Sequence, residues 1–307
     1  MYKVEYNRFF GVPVVKRALK VALVILPFAA LAALITLYLR GITIDVLSPR
    51  GLIGDREKEL FVFATLLMLI VVIPVFILTI WVAWKYRASN HRGKYTPDWD
   101  YSLVAESAWW GIPFIIIVIL SIVTWTSSHE LDPFKPLDSN VPPMRIQVIG
   151  QQWKWLFIYP DYKIAVVNFT QFPTETPLNF ELTSDAPMNS FWIPRLGSQI
   201  YAMSGMTTKV HLISQQSGDY FGCSANISGE GFSGMTFTAR ASSWDEFHAW
   251  VEMVKKEGVP LTYEEYDHLL APSKYNPVAY YTLPQDDLFE HVVMKYMMPM
   301  EGTQVHD

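Results

Sequence analysis

Between Tyr220 and Met235 the chain reads Tyr-Phe-Gly-Cys-Ser-Ala-Asn-Ile-Ser-Gly-Glu-Gly-Phe-Ser-Gly-Met. A compact, glycine-punctuated loop running into an alternating strand is a common setting for a metal held between two sheets. Soft copper or zinc sites draw on convergent thiolates, imidazoles or thioethers. This loop offers Cys223, Met235 and no histidine. It either never held a metal or has lost the residues that did. Cys223 by itself reads as a small buried apolar residue. A second candidate is Glu106, in Val-Ala-Glu-Ser-Ala-Trp-Trp at the head of an uncharged stretch. An acid at the edge of a membrane helix is functional when it faces protein and otherwise marks the interface. The tail His291-Val-Val-Met-Lys-Tyr-Met-Met-Pro-Met, with His306 beyond it, reads as a methionine-biased terminus, with thioether binding of Cu(I) as the alternative. Among the remaining histidines, His91, His129, His211, His248 and His268, no paired spacing occurs, and no Gly-rich phosphate loop or Ser/His/Asp signature appears.

The elements that must position these residues fall into two halves. The chain has 307 residues, 51% of them hydrophobic and 15% aromatic. Residues 1–126 carry 13 Lys and Arg against 8 Asp and Glu, whereas 127–307 carry 11 against 21. A basic, apolar first part and an acidic second part indicate a membrane module followed by a soluble domain, and the acidic half argues against nucleic acid. A single cysteine permits no intrachain disulfide.

Three stretches lack any charge: Val21–Leu39, Leu60–Trp84 and Ser107–Ser128, of 19, 25 and 22 residues. A hydrocarbon core of roughly 30 Å takes about 20 helical residues, so each is long enough to span. Pro74 and Pro113 lie inside the second and third, where they bend rather than end a span. Trp81, Trp84, Trp109, Trp110 and Trp125 sit near the ends, where indoles favour the interface. The first span follows Lys3, Arg8, Lys16, Arg17 and Lys20, so it is either a retained helix or a secretory signal. Its end, Thr-Leu-Tyr-Leu-Arg, has no A-x-A-like cleavage pattern and no nearby cysteine to accept a lipid. Lys85, Arg87, Arg92 and Lys94 place the 85–106 loop in the cytoplasm, and residues 129–307 then lie outside.

After Pro133, Pro136, Pro142 and Pro143 the pattern switches to short alternating runs, Met144–Ile149, Leu178–Thr183, Lys209–Ile213 and Met235–Ala239. Period-2 runs at this spacing predict an antiparallel sandwich or small barrel ending near Ala241. Ser243 and Glu246 predict a capping box for a helix with Trp244, Phe247, Val251 and Val254 on one face. Thr262 and Glu265 repeat the device for a shorter helix ending before Pro272. From Tyr275 the chain is aromatic and extended, too irregular for a regular element, and packs over the sandwich or a partner. The expected fold class is membrane α plus all-β. Its parts are 1–40, a basic segment and first span; 41–128, a transmembrane hairpin; 129–241, the exterior sandwich; and 242–307, a helical, aromatic-rich extension.

Two membrane helices followed by an exterior sandwich that opens on Gln151-Gln-Trp-Lys-Trp155 resembles subunit II of the haem-copper respiratory oxidases. In the cytochrome c oxidases of that family a cupredoxin domain holds a dinuclear copper centre on C-x-x-x-C-x-x-x-H-x-x-M, with a further His on an earlier strand. Anchored on Met235, that pattern puts the thiolates at Ser224 and Ser228, the histidine at Phe232, the carbonyl-ligand Glu at Asn226 and the earlier histidine at Asn189. Only Met235 remains of the side-chain ligands, and Cys223 lies one residue off. A retained sandwich without the copper ligands resembles the bo-type ubiquinol oxidases, as does the aromatic-rich stretch 261–281. The resemblance covers roughly 45–290.

That resemblance implies a subunit of a proton-translocating quinol oxidase in a bacterial inner membrane, with its C-terminal domain periplasmic. It implies haems and copper in subunit I, smaller membrane subunits as further partners, and no cofactor or catalysis in this chain. Glu106 would lie at the mouth of a proton pathway, while Trp153 and Trp155 revert to packing aromatics. Subunits II of that branch begin with a lipoprotein signal, for which this chain lacks the cysteine. A membrane-anchored cupredoxin-like binding or assembly module is the alternative.

Overall fold

The computed structural model describes residues 30, 33–34, 44–90, 96–98 and 100–297. Met1–Ser48 and Pro49–Asp307 form two compact units. In the first, Ala30, Ala33 and Leu34 are helical and exposed, and Asp45–Leu47 form a 3-10 turn. The rest of Val21–Leu39, and with it the choice between retained helix and signal, lies outside the described residues, as does the tail beyond Met297.

The second unit begins with α1 (Leu52–Lys85) and α2 (Leu103–Glu130), of 34 and 28 residues. Both are long and apolar enough to cross a membrane, and both run on through their prolines, Pro74 and Pro113. Their large apolar side chains face outward, with Ile80 67% and Trp110 75% exposed. At the far end of α1, Lys85 lies 4.3 Å from the Trp81 ring and Arg87 5.4 Å from Trp84, a pairing of cation and indole suited to the membrane–water boundary.

The near end of α1 is joined directly to the sandwich. Gly54 donates its N–H to Leu196 O at 3.0 Å, and Arg50 to Arg195 O at 2.8 Å. The first helical N–H groups have no partner inside the helix, so a sandwich carbonyl satisfies one of them. Gly51 makes the approach possible, because a Cβ there would stand 2.6 Å from Ile213 O.

The sandwich consists of β1 (Met144–Gln151), β2 (Lys154–Tyr159), β3 (Ile164–Val167), β4 (Phe169–Pro173), β5 (Leu178–Ser184), β6 (Asn189–Trp192), β7 (Ile200–Ala202), β8 (Thr208–Leu212), β9 (Gly218–Ser224) and β10 (Thr236–Ser242). Then come α3 (Trp244–Glu257), β11 (Val259–Pro260), α4 (Tyr263–Leu269), β12 (Ala279–Thr282) and α5 (Leu288–Lys295). One sheet runs β11-β12-β3-β2-β1-β5-β8 and the other β4-β10-β9-β6-β7.

Three expectations are corrected. The sandwich is not purely antiparallel, since β1–β5, β4–β10 and β11–β12 pair in parallel. Nor does it end near Ala241, because the segment after Tyr275 contributes β12, antiparallel to β3, and then the helix α5. Strand pairing with β3 imposes a regularity that local composition does not announce. On α3 the capping box forms as expected, but Trp244 is 42% exposed and Trp250 is buried beside Phe247, Val251 and Val254. Trp244 is the first residue after the cap, where the helix has not yet turned its apolar face onto the sheet.

Two apolar cores lie on opposite faces of the larger sheet. Between the sheets, Phe191 packs 5.5 Å from Trp155, 5.2 Å from Phe180 and, stacked, 5.2 Å from Phe237. On the outer face, Ile149, Leu156, Ile158 and Val167 pack against Leu261, Tyr266, Leu288 and Phe289 of the extension.

Candidate functional site

The ends of β6 and β9 bring together the positions that the copper pattern marks. Ser224 Oγ donates to Asn189 Oδ1 at 3.1 Å and lies 3.3 Å from Asn226 O, while Ser224 N–H donates to Met235 O at 3.1 Å. Asn226 Nδ2 reaches across to Met188 O at 2.8 Å, and Asn189 Nδ2 to Pro187 O at 2.8 Å. Ser224, Asn189 and Met235 are buried. Ser228 lies further along the loop, where its carbonyl accepts from Trp153 Nε1 at 3.3 Å. Phe232 opens the 3-10 turn Phe232–Gly234 that leads into Met235.

This donor set does not fit dinuclear copper. Hydroxyls and amides are poor ligands for it, and a phenyl ring offers no donor atom. The side chains of Asn189, Ser224 and Asn226 are hydrogen-bonded within the loop region, while the buried Ser228 hydroxyl has no partner among the described residues. No group of three or more His, Cys, Asp or Glu able to hold a metal occurs among the described residues. Cys223 points out of this cluster, is half-buried, and has its thiol pushed up by burial, away from the reactive thiolate form.

Trp153 lies beneath the loop with a left-handed backbone, φ 68°. Its indole is so close to Gly231 that a Cβ there would stand 2.3 Å from the ring. Above it, Lys274 reaches to 5.7 Å from the ring and pairs with Glu230 at 2.6 Å, and Tyr275 OH meets Ser233 Oγ at 3.2 Å. The extension therefore covers the loop with residues the sequence reading left unassigned.

Two charged side chains fasten it. Lys154, 2% exposed, donates to Leu269 O at 2.6 Å, Ala271 O at 3.0 Å and Ser273 Oγ at 2.6 Å, which places an ammonium at the C-terminal end of α4. Asp185, just ahead of Asn189, accepts from Tyr266 OH at 2.9 Å, Lys295 Nζ at 2.8 Å and Tyr296 OH at 2.5 Å. Nothing local flags either residue, because their partners lie about a hundred positions away.

Burial and the Asp185 carboxylate push the Tyr296 phenol up to about 12 and raise that of Tyr266 as well. Each phenol binds its proton more tightly folded than unfolded, where tyrosine titrates near 10. The contribution of Tyr296 is complete below about pH 10 and is lost as pH rises through about 12, and that of Tyr266 has the same sign. The protection of the α5 amides, after allowance for the base catalysis of exchange itself, is therefore expected to fall between those values; protection unchanged across that range would contradict the Asp185 clamp.

At the opposite end of α2, Ser102 caps the helix, its Oγ accepting from Ala105 N–H at 3.4 Å. Glu106 follows in the first turn, partly exposed, with its N–H donating to Ser102 O at 2.9 Å. It is remote in sequence from the loop at 224–235, and the structure records no contact joining the two.

Two family models match the chain: "Cytochrome C oxidase subunit II, periplasmic domain" over residues 163–242 and "COX Aromatic Rich Motif" over 255–300. The cytochrome bo(3) ubiquinol oxidase subunit 2 of Pseudomonas putida is 48% identical over 307 residues, covering 100% of this chain and 92% of that protein. That of Pseudomonas aeruginosa is 50% identical over 88% of this chain and 82% of its own. Among solved structures, the periplasmic domain of subunit II of cytochrome oxidase from Bradyrhizobium japonicum matches at 21% identity and a TM-score of 0.37, over 40% of this chain and 98% of that one. With a relative this similar over nearly its whole length, the chain belongs to the subunit 2 family of the cytochrome bo(3)-type ubiquinol oxidases.

Proposed function

We propose that this chain serves as the second subunit of a proton-translocating oxidase that oxidises ubiquinol and reduces O2 to water, two quinols per O2. In this reading α1 and α2 anchor it in the bacterial inner membrane with the sandwich in the periplasm. Haems and copper reside in subunit I, and this chain is non-catalytic. The observation that carries the proposal is the donor set at Asn189, Ser224, Asn226, Ser228 and Phe232: electrons cannot be relayed through an exterior copper pair, which fits a donor that arrives within the membrane. The chain is divided in this reading into 1–40, 41–128, 129–241 and 242–307 as four parts of one subunit, the last of which completes the larger sheet of the sandwich through β12.

Purification of the native complex tests it. Haem spectra, quinol-driven O2 consumption and no copper assigned to this chain are expected. Two copper ions bound here would overturn the reading, and isolation without haem or partner would favour a free-standing binding module.

Glu106 is assigned to the mouth of a proton pathway into subunit I, supported by its place in the first turn of α2, the helix end that this reading sets on the cytoplasmic side. Glu106→Gln keeps the shape but not the exchangeable charge. Quinol turnover is expected to fall about tenfold, about 1.4 kcal/mol on the barrier, with haem content unchanged. Unaltered turnover and pumping would remove the assignment.

A further inference from the structure

Where α1 and α2 meet the sandwich, a cavity of about 200 Å³ is bordered by Arg56, Glu57, Glu130, Asp132, Lys135 and His211. Both signs of charge line it. His211 is only 8% exposed, and its Nδ1 lies 3.0 Å from Pro133 O, which makes Nε2 the ring's acceptor. Among the described residues Arg56 is engaged by an exposed contact to Glu59 at 3.3 Å, the kind of pair that holds a side chain weakly. From this cavity an apolar cleft of about 340 Å³ continues between the helices, walled by Leu60, Phe63, Leu120 and Val123. Glu57, Leu131 and Ser198 border both spaces, so polar head and apolar cleft are continuous. Leu60 and Ser128 are the ends of the uncharged stretches, which puts the junction at the membrane surface on the sandwich side.

We propose that this junction seats one phospholipid with an ammonium-bearing headgroup, of the phosphatidylethanolamine class. The phosphate lies toward Arg56 and Lys135, the ammonium toward Glu130, Asp132 and His211, and one acyl chain enters the cleft between α1 and α2. Acidic groups outnumber basic ones around the cavity, so an anionic headgroup without the ammonium would add uncompensated negative charge. The inference requires the helices to be in a bilayer but does not depend on quinol chemistry.

The test uses the whole complex, purified in mild detergent and washed free of loose lipid. Native mass spectrometry is expected to show one fewer retained aminophospholipid in Arg56→Ala/Lys135→Ala than in the unaltered complex. Equal retention, or loss of a glycerol-headgroup lipid instead, overturns the proposal. Should that variant fail to assemble, photoreactive phosphatidylethanolamine added to the unaltered complex is expected to label peptides within 56–64 or 120–138. No labelling of those peptides, as when a partner-subunit helix fills the cleft, overturns it as well. Haem content and quinol turnover, followed in parallel, separate loss of the lipid from failure of the quinol oxidase reading.

Discussion

Replacing Phe191 by alanine is expected to destabilise the exterior sandwich by about 3–5 kcal/mol, the usual range for removing a buried ring. Phe191 is 1% exposed and lies in β6 between the two sheets. It stacks on Phe237 at an interplanar angle of 10° and meets Trp155 edge-on at 77°. Its loss leaves a cavity walled by rigid rings that cannot collapse into it, and it removes aromatic pairings worth about 0.5–1.5 kcal/mol each beyond their area. Phe191 also pairs with Ser224, so the opening reaches the candidate site. Cys223, the only cysteine in the chain, reports it: maleimide labelling of this residue is expected to accelerate in Phe191→Ala. Phe221→Ala removes the same ring from a position 52% exposed and is expected to change stability within about 0.5 kcal/mol. Equal labelling in the two variants would show that the interior stack does not carry the stability assigned to it.

Replacing Lys154 by methionine is expected to release the aromatic-rich extension while leaving the membrane helices intact. Methionine retains much of the apolar stem, but three acceptors, Leu269 O, Ala271 O and Ser273 Oγ, lose their donor. An orphaned buried acceptor costs about 1–3 kcal/mol. Part of that cost is offset, because burial already lowers the pKa of the Lys154 ammonium, a sign that holding the charge there is unfavourable. The net effect falls on α4 and on the strand β12 that follows it. Hydrogen exchange and limited proteolysis across 259–297 are expected to increase, with the amides of β5 and β8 unaffected. If protection of α4 and β12 were unchanged, Lys154 would be a satisfied core residue and not the fastening of the extension.

Legibility in the sequence followed the range of the interaction. Helix caps are local, and Ser243 with Glu246 forms the box that their spacing predicts. Leu60–Trp84 and Ser107–Ser128 stand out because a hydrocarbon interior tolerates no charge, and both lie within the helices α1 and α2. Residues 189 and 224 could be related only through a family pattern, since a contact across 35 positions leaves no periodic trace; the structure holds them 3.1 Å apart. Lys154 and Asp185 escaped notice because lysine and aspartate are ordinary surface residues until a distant segment covers them.

From local pattern alone came the two long apolar helices, the sandwich, the cap of α3 and the identity of every side chain at the positions of the copper pattern. Tertiary structure decided what the extension does. In β1 only Arg145 is exposed, so the alternation expected of a half-solvated strand is absent. Ile146 and Val148 enter the core between the sheets, while Ile149 faces α4 and α5 on the other side. Period-2 patterning shows that a strand has two faces, but a face is apolar only relative to what covers it. The cover here arrives more than a hundred residues later in the chain, through β12 pairing with β3 and through the anchors at Lys154 and Asp185.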